Sequence, residues 1–229
     1  MPRRRREATG GIVFHVLNRA VARLTIFEND GDYQAFEKVL AQSVQRMGTR
    51  LLAYCLMPNH FHLVVWPRGD GELSQFMRLL TVTHTQRWHA HHHTSGTGPL
   101  YQGRFKSFPV QADEHYLALC RYVERNALRA NLVERAQDWR WGSLWRRRAA
   151  APGGLPGEGL ILSSWPVAEP GHWLRLVNTP QRQAELEALR RCVRRGQPWG
   201  GPRWVGRVTR QLGLESAFRP RGRPPKIKQ

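Results

Sequence analysis

The chain has 229 residues, 41% of them hydrophobic, and carries 36 Lys and Arg against 17 Asp and Glu, for a formal net charge of +19 and a pI near 11.4. That length supports one good core with a smaller appendage, and an excess of this size asks for a polyanionic partner. No apolar run approaches the ~20 residues of a membrane span, and the start, Met1-Pro2 followed by Arg3 to Arg6, holds no apolar signal core, so neither insertion nor export is expected and a cytoplasmic location is.

In chain order, residues 12–17 form a β-branched and apolar run suited to a strand, and residues 32–47 space Phe36, Val39, Leu40 and Val44 as a helix. Residues 50–57 read as a second strand. Pro58-Asn59 punctuates it, and residues 60–66 return as a third strand, ended by Pro67 and the turn Gly69-Asp70-Gly71. Residues 74–89 are helical, with Phe76, Leu79, Leu80 and Thr83 on one side; residues 103–110 give a fourth strand and residues 114–128 a further helix. The order β-α-β-β-α-β is the split βαβ arrangement, so the expected fold class is α+β, a ferredoxin-like antiparallel sheet with helices over one face. Composition then shifts to Ala, Gly and Pro, notably Ala151-Pro152-Gly153-Gly154, before helical stretches at residues 181–195 and 204–212. The expected division is a catalytic domain over 1–148, a linker or surface loop over 149–171, a small helical DNA-binding extension over 172–214 and a basic tail over 215–229.

Three cysteines, Cys55, Cys120 and Cys192, form no CxxC pair, which fits a reducing compartment and buried apolar roles and speaks against a zinc ribbon. Lysine occurs only at 38, 106, 226 and 228, so the positive charge is almost all arginine, suited to bidentate phosphate contacts. From Arg190 onward there are twelve basic residues and one acid, Glu215, a density that points to nucleic acid.

The sharpest local feature is His60-Phe61-His62. On a strand, residues i and i+2 share a face, so both imidazoles converge as metal ligands while Phe61, Leu63 and Val65 turn to the core. In the helix after the fourth strand, Tyr122 and Asn126 stand at i and i+4 on one face, beside an apolar side of Tyr116, Leu119, Cys120, Val123 and Ala127. A helix crossing the sheet over the histidines would bring a phenol to a metal site. His89, His91, His92 and His93 offer a rival cluster, expected on a flexible loop near single-stranded DNA without fixed metal geometry.

Four ordered stretches carry a family resemblance: His15-Val16-Leu17-Asn18-Arg19, Tyr54-Cys55-Leu56-Met57-Pro58-Asn59-His60-Phe61-His62, Gln102-Gly103-Arg104-Phe105-Lys106-Ser107, and Arg121 through Ala130. Together they resemble the REP-associated tyrosine transposases of the His-hydrophobe-His single-strand endonuclease superfamily. The likeness covers roughly residues 10–145, and it is fair again over 196–226. That family usually has Pro where this chain has Ala127; alanine favours the helix interior, so the helix is expected to extend past Tyr122. The resemblance implies Mg²⁺ or Mn²⁺ on His60, His62 and Asn126, with Tyr122 as nucleophile, a 5′-phosphotyrosyl intermediate and a free 3′-hydroxyl. Phosphodiester energy is kept in the tyrosyl bond, so no nucleotide cofactor is needed. On affinity order Mn²⁺ or Zn²⁺ would bind such a site more tightly than Mg²⁺.

Arg104 and Lys106 alternate around Phe105 and are expected to position phosphate, and Arg19 and Arg125, within the matched stretches, join them. Arg3, Arg4, Arg5 and Arg6 are candidates for reading single-stranded DNA beside a hairpin. Arg219 to Lys226 resembles an AT-hook, with Gly222 allowing an extended backbone into the minor groove, flanked by Arg221 and Arg223, with Lys226 adding charge. The expected activity is metal-dependent cleavage and rejoining of single-stranded DNA at hairpin-forming palindromic repeats. The alternatives are a non-catalytic repeat-DNA-binding regulator and a water-using zinc phosphodiesterase. The resemblance points to a monomer, with a dimer as the alternative.

Overall fold

The computed structural model describes residues 9–149 and 160–219. Four strands, β1 (Val13–Arg19), β2 (Arg50–Met57), β3 (His60–Trp66) and β4 (Lys106–Val110), make one antiparallel sheet in the order β2-β3-β1-β4. The two-residue Pro58-Asn59 connection makes β2 and β3 a hairpin, and β1, inserted beside β3, splits both crossovers. Those crossovers are α1 (Asp30–Met47) and α2 (Glu72–His91). A capping box starts α1: Asn29 Oδ1 accepts the Asp32 N–H at 3.2 Å, and Asp32 Oδ2 accepts the Asn29 N–H at 3.3 Å. Gly48, at φ 68°, ends it in the left-handed region.

Strand alternation sends Phe61, Leu63 and Val65 to one face, where they pack with Phe36 and Leu40 of α1 and Phe76 and Leu80 of α2. The Phe36 and Phe61 rings lie 4.9 Å apart. The opposite face receives α3 (Glu114–Glu124) through Tyr116, Leu119, Cys120 and Val123, together with Trp173 and Val177 of α6 (Trp173–Asn178) and Leu189 and Cys192 of α7 (Gln183–Arg195). The crossover helices thus occupy one face, and the tyrosine helix occupies the other. All three cysteines are buried and free.

Several boundaries differ from expectation. β4 begins at Lys106, because Phe105 turns toward the α1/α2 core while Arg104 remains outside the strand. The helix expected over 114–128 stops at Glu124 and resumes as α4 (Asn126–Arg129). Arg125 at ψ 0°, against about −42° in a regular helix, unwinds that one residue. Ala127 is fully buried at the sheet instead of extending a continuous helix. Residues 160–167 hold no helix or strand, yet they lie against the sheet. Leu160 is buried, Ser163 N–H donates to Leu51 O at 2.8 Å, and the Trp165 ring meets those of Tyr116 and Trp173 at 5.6 and 5.1 Å.

The C-terminal elements also join the sheet. Gln111 N–H donates to Trp199 O and Trp199 N–H to Pro109 O, both at 2.9 Å, so residue 199 covers part of the β4 edge. A short helix α5 (Ser143–Ala149) sends Arg146 inward, where it donates to Glu37 Oε2 at 2.6 Å and Tyr54 Oη at 2.8 Å. Helix α8 (Pro202–Gln211) follows Gly201, whose N–H donates to Gln111 Oε1 at 2.9 Å. No helix among the described residues is long and apolar enough to cross a membrane.

Candidate active site

The strand register sets the histidines. His60 lies opposite Arg19 of β1 and Met57 of β2, and His62 opposite Leu17 and Cys55, so both side chains emerge on the α3 face. Their rings are 5.1 Å apart. His62 is buried and His60 half-buried. Burial, then the charges of Arg19 and Arg129, push the His60 pKa down to about 3; burial foremost holds His62 well below its ordinary value. Both imidazoles are therefore neutral near pH 7, the form that binds metal.

Hydrogen bonds orient both rings. His60 Nδ1 lies 2.6 Å from Asn59 Oδ1, an acceptor, so Nδ1 carries the proton and Nε2 keeps its lone pair. His62 Nδ1 lies 2.8 Å from His15 Nε2. His15, buried beneath the pair and depressed to about 3 by that burial, is neutral as well. The two nitrogens share a single hydrogen, and when His62 Nδ1–H donates it, His62 Nε2 is left to bind a cation.

Helix α3 places Tyr122 above this layer, its ring centroid 5.9 Å from His62 and 6.5 Å from His15. Arg129 of α4 lies over the Tyr122 ring, its guanidinium carbon 4.4 Å from the centroid. The same guanidinium donates to Asn126 Oδ1 at 2.6 Å, while the buried Asn126 Nδ2 has no partner. The histidine pair thus fits a divalent cation through two lone pairs on one face. Asn126 would add an oxygen that it shares with Arg129.

Of the predicted DNA contacts, Arg19, Arg104 and Lys106 come together with Asn18, Gln102 and Arg194 around a groove of about 630 Å³. Arg125 does not join them. Its Nη1 donates to Val177 O at 3.0 Å and Asn178 O at 2.6 Å, which spends the guanidinium on the end of α6. Arg3, Arg4, Arg5, Arg6, Arg221, Arg223 and Lys226 lie outside the described residues. Of the histidine cluster, His89 and His91 sit on the last turn of α2 and His92 caps it, while His93, at φ 53°, lies in the turn that follows.

Sequence reasoning missed His15 and Arg129 as site residues. His15 was legible as a lone imidazole within an apolar central strand, and Arg129 as the residue seven after Tyr122, two helical turns on.

A phenol, paired neutral imidazoles and an adjacent guanidinium are groups that phosphoryl transfer can employ. A model of the IS200-like transposase family matches residues 9–126, more than half of the chain. The chain belongs to that family, so its activity class is DNA transposition. The fold is shared with a REP-associated tyrosine transposase solved bound to a REP hairpin, at a TM-score of 0.53 and 21% identity, covering 72% of this chain and 96% of that one. A protein described as a transposase from Deinococcus radiodurans R1 aligns over 55% of this chain and 97% of its own, at 17% identity and a TM-score of 0.38. No curated protein matches the chain.

Proposed function

We propose that this transposase cleaves and rejoins single-stranded DNA beside hairpin-forming palindromic repeats, with Tyr122 as nucleophile. The observation that carries this reading is the convergence of Tyr122, His60, His62 and Arg129 on one face of the sheet, with the basic groove opening beside Arg19. The hairpin held by the structural neighbour suggests the substrate class.

In this mechanism Tyr122 Oη gives up its proton and attacks the scissile phosphorus in line. The P–O bond to the 3′-oxygen breaks, that oxygen takes up a proton, and the 5′-phosphate stays on the tyrosine. Rejoining reverses the step with an incoming 3′-hydroxyl, so the number of phosphoester bonds is conserved and no nucleotide is consumed. Arg129, its guanidinium carbon 4.4 Å from the Tyr122 ring centroid, would pair with the entering phosphate beside the phenol. His60 and His62, with Asn126 as the third ligand, would hold Mg²⁺ or Mn²⁺. When bound, the cation supplies Lewis-acid stabilisation of the phosphate oxygens.

The Arg129 hydrogen bond to Asn126 Oδ1 places a cation beside the third ligand and favours a second reading, a repeat-binding protein without cleavage. One assay separates the two. A labelled single-stranded hairpin substrate incubated with Mg²⁺ or Mn²⁺ is expected to give a covalent protein–DNA adduct that Tyr122→Phe abolishes. An adduct that survives Tyr122→Phe overturns the tyrosine mechanism, and tight binding without any adduct establishes the regulator.

A further inference from the structure

On the opposite face of the sheet from Tyr122, the start of α1 meets the end of α2. Asp32 stands in the first turn of α1, His91 is the last residue of α2, and His92 is its C-cap. One ligand atom from each, a carboxylate oxygen and two imidazole nitrogens, all lie within 4.8 Å of one another. The carboxylate is fixed: Asp32 is 5% exposed, and its Oδ2 accepts the N–H groups of Glu28 at 2.9 Å and Asn29 at 3.3 Å. Its Oδ1 therefore faces His92 Nε2, 3.3 Å away. That separation is long for a charge-assisted hydrogen bond, about 2.7–2.9 Å. It matches the spacing, roughly 3.3 Å, of neighbouring ligands around a tetrahedral ion with bonds of about 2.0–2.1 Å.

The imidazoles suit the same purpose. His92 stacks on Trp88, with ring centroids 4.1 Å apart and planes 22° off parallel, which holds its Nε2 toward Asp32. His91 is exposed and closes the set from the solvent side. A cavity of about 150 Å³ lies among Asp32, Trp88, His91 and His92, and the buried His84 borders it while bonding Tyr101 Oη at 2.6 Å.

We propose that Asp32, His91 and His92 form a second metal site, separate from the tyrosine centre, for a borderline divalent ion such as Zn²⁺. Two imidazoles and one carboxylate suit Zn²⁺ and leave its fourth position to water, whereas Mg²⁺ prefers an all-oxygen shell. The bound ion ties α1 to α2 and fixes the root of the segment between α2 and β4. The far end of that segment carries Gln102 and Arg104 to the basic groove. The site thus supports the shape of the DNA-facing segment without touching the reacting atoms.

The test is zinc titration of the full chain by calorimetry, with thermal melting in zinc and in chelator. His91→Ala alters an exposed side chain, so its fold and its melting in chelator stay as in wild type. It is expected to bind one zinc equivalent fewer than wild type, or that equivalent at least roughly tenfold more weakly. Whatever the strand histidines bind cancels in this difference. His92→Gln is expected to behave alike, and both variants lose the zinc-induced rise in melting temperature. Zinc stoichiometry and melting shift equal to wild type in His91→Ala overturn the site. Because the readout is zinc binding and not strand cleavage, it fails or succeeds independently of the tyrosine mechanism.

Discussion

Replacing His15 with Phe tests whether the ring beneath the histidine pair prepares it for a cation. In the tautomer with the hydrogen on His62 Nδ1, its bond to His15 Nε2, 2.8 Å away, holds the His62 ring and leaves Nε2 for a cation. Phe fills the same volume against Phe108, whose ring lies 4.9 Å from that of His15, but it cannot accept a hydrogen bond. His62 Nδ1–H would then be buried without a partner, at a cost of about 1–3 kcal/mol. Loss of a partner that orients a metal-bound histidine weakens metal binding roughly 10- to 100-fold, about 1.4–2.7 kcal/mol. Mn²⁺ affinity by calorimetry should fall by that factor in His15→Phe. His15→Gln, whose Oε1 can accept the same hydrogen, should recover much of it. Circular dichroism confirms that each variant is folded. A folded His15→Phe protein that binds Mn²⁺ as tightly as wild type would refute the reasoning.

Glu124 tests the interior of the second core. It is buried, accepting from Ser143 Oγ–H at 2.7 Å and Trp173 Nε1–H at 2.8 Å, and burial raises its pKa to about 7. The folded pKa exceeds the unfolded one, so the native chain binds more protons between them. Stability is full below about pH 4.5 and is lost as pH rises through about 7, by about 3 kcal/mol. Glu124→Gln can accept from Trp173 and donate to Ser143, so urea denaturation across that range should lose this component of the slope; an unchanged slope counts against it. Arg125→Ala should destabilise the fold by about 1–3 kcal/mol through the freed carbonyls of Val177 and Asn178, while hairpin affinity keeps its salt dependence; the reverse pattern would return Arg125 to the DNA contacts. Arg104→Ala and Lys106→Ala should each lower the slope of log affinity against log salt by about one without altering melting; unchanged slopes would remove the groove from the DNA path.

The sheet was legible because its punctuation is local. Pro58-Asn59 and Pro67 bound β2 and β3 where the sequence places them, and the apolar alternation of residues 61, 63 and 65 fixes which face the histidines take. The break at Arg125 depends on contacts more than fifty residues away, the carbonyls at the end of α6, and no local pattern records them. Composition around residues 160–167 records only their lack of helix and strand; the packing of Leu160 and Trp165 against the two cores depends on partners distant in sequence. The histidines from 89 on read as a loop beside Thr94-Ser95-Gly96, yet Trp88 packs under His92, with Trp88 Nε1–H donating to Ile26 O at 3.0 Å, and α2 runs on to His91.

Strand β1 joins these features. Being central, it is buried along its length, so each polar residue on it must be satisfied or must reach the edge. His15 is satisfied by His62 on the tyrosine face. Arg19, at the strand's end and opposite His60, emerges beside the histidine pair and lines the groove with Arg104 and Lys106. Burial first, and then the positive charges of Arg19 and Arg129, lower the His60 pKa and keep that imidazole unprotonated. In the proposed mechanism one strand therefore carries both the group that orients His62 and a cation of the groove beside the histidine pair. A one-residue slip of β1 against β3 would exchange its two faces and separate both from the tyrosine at once.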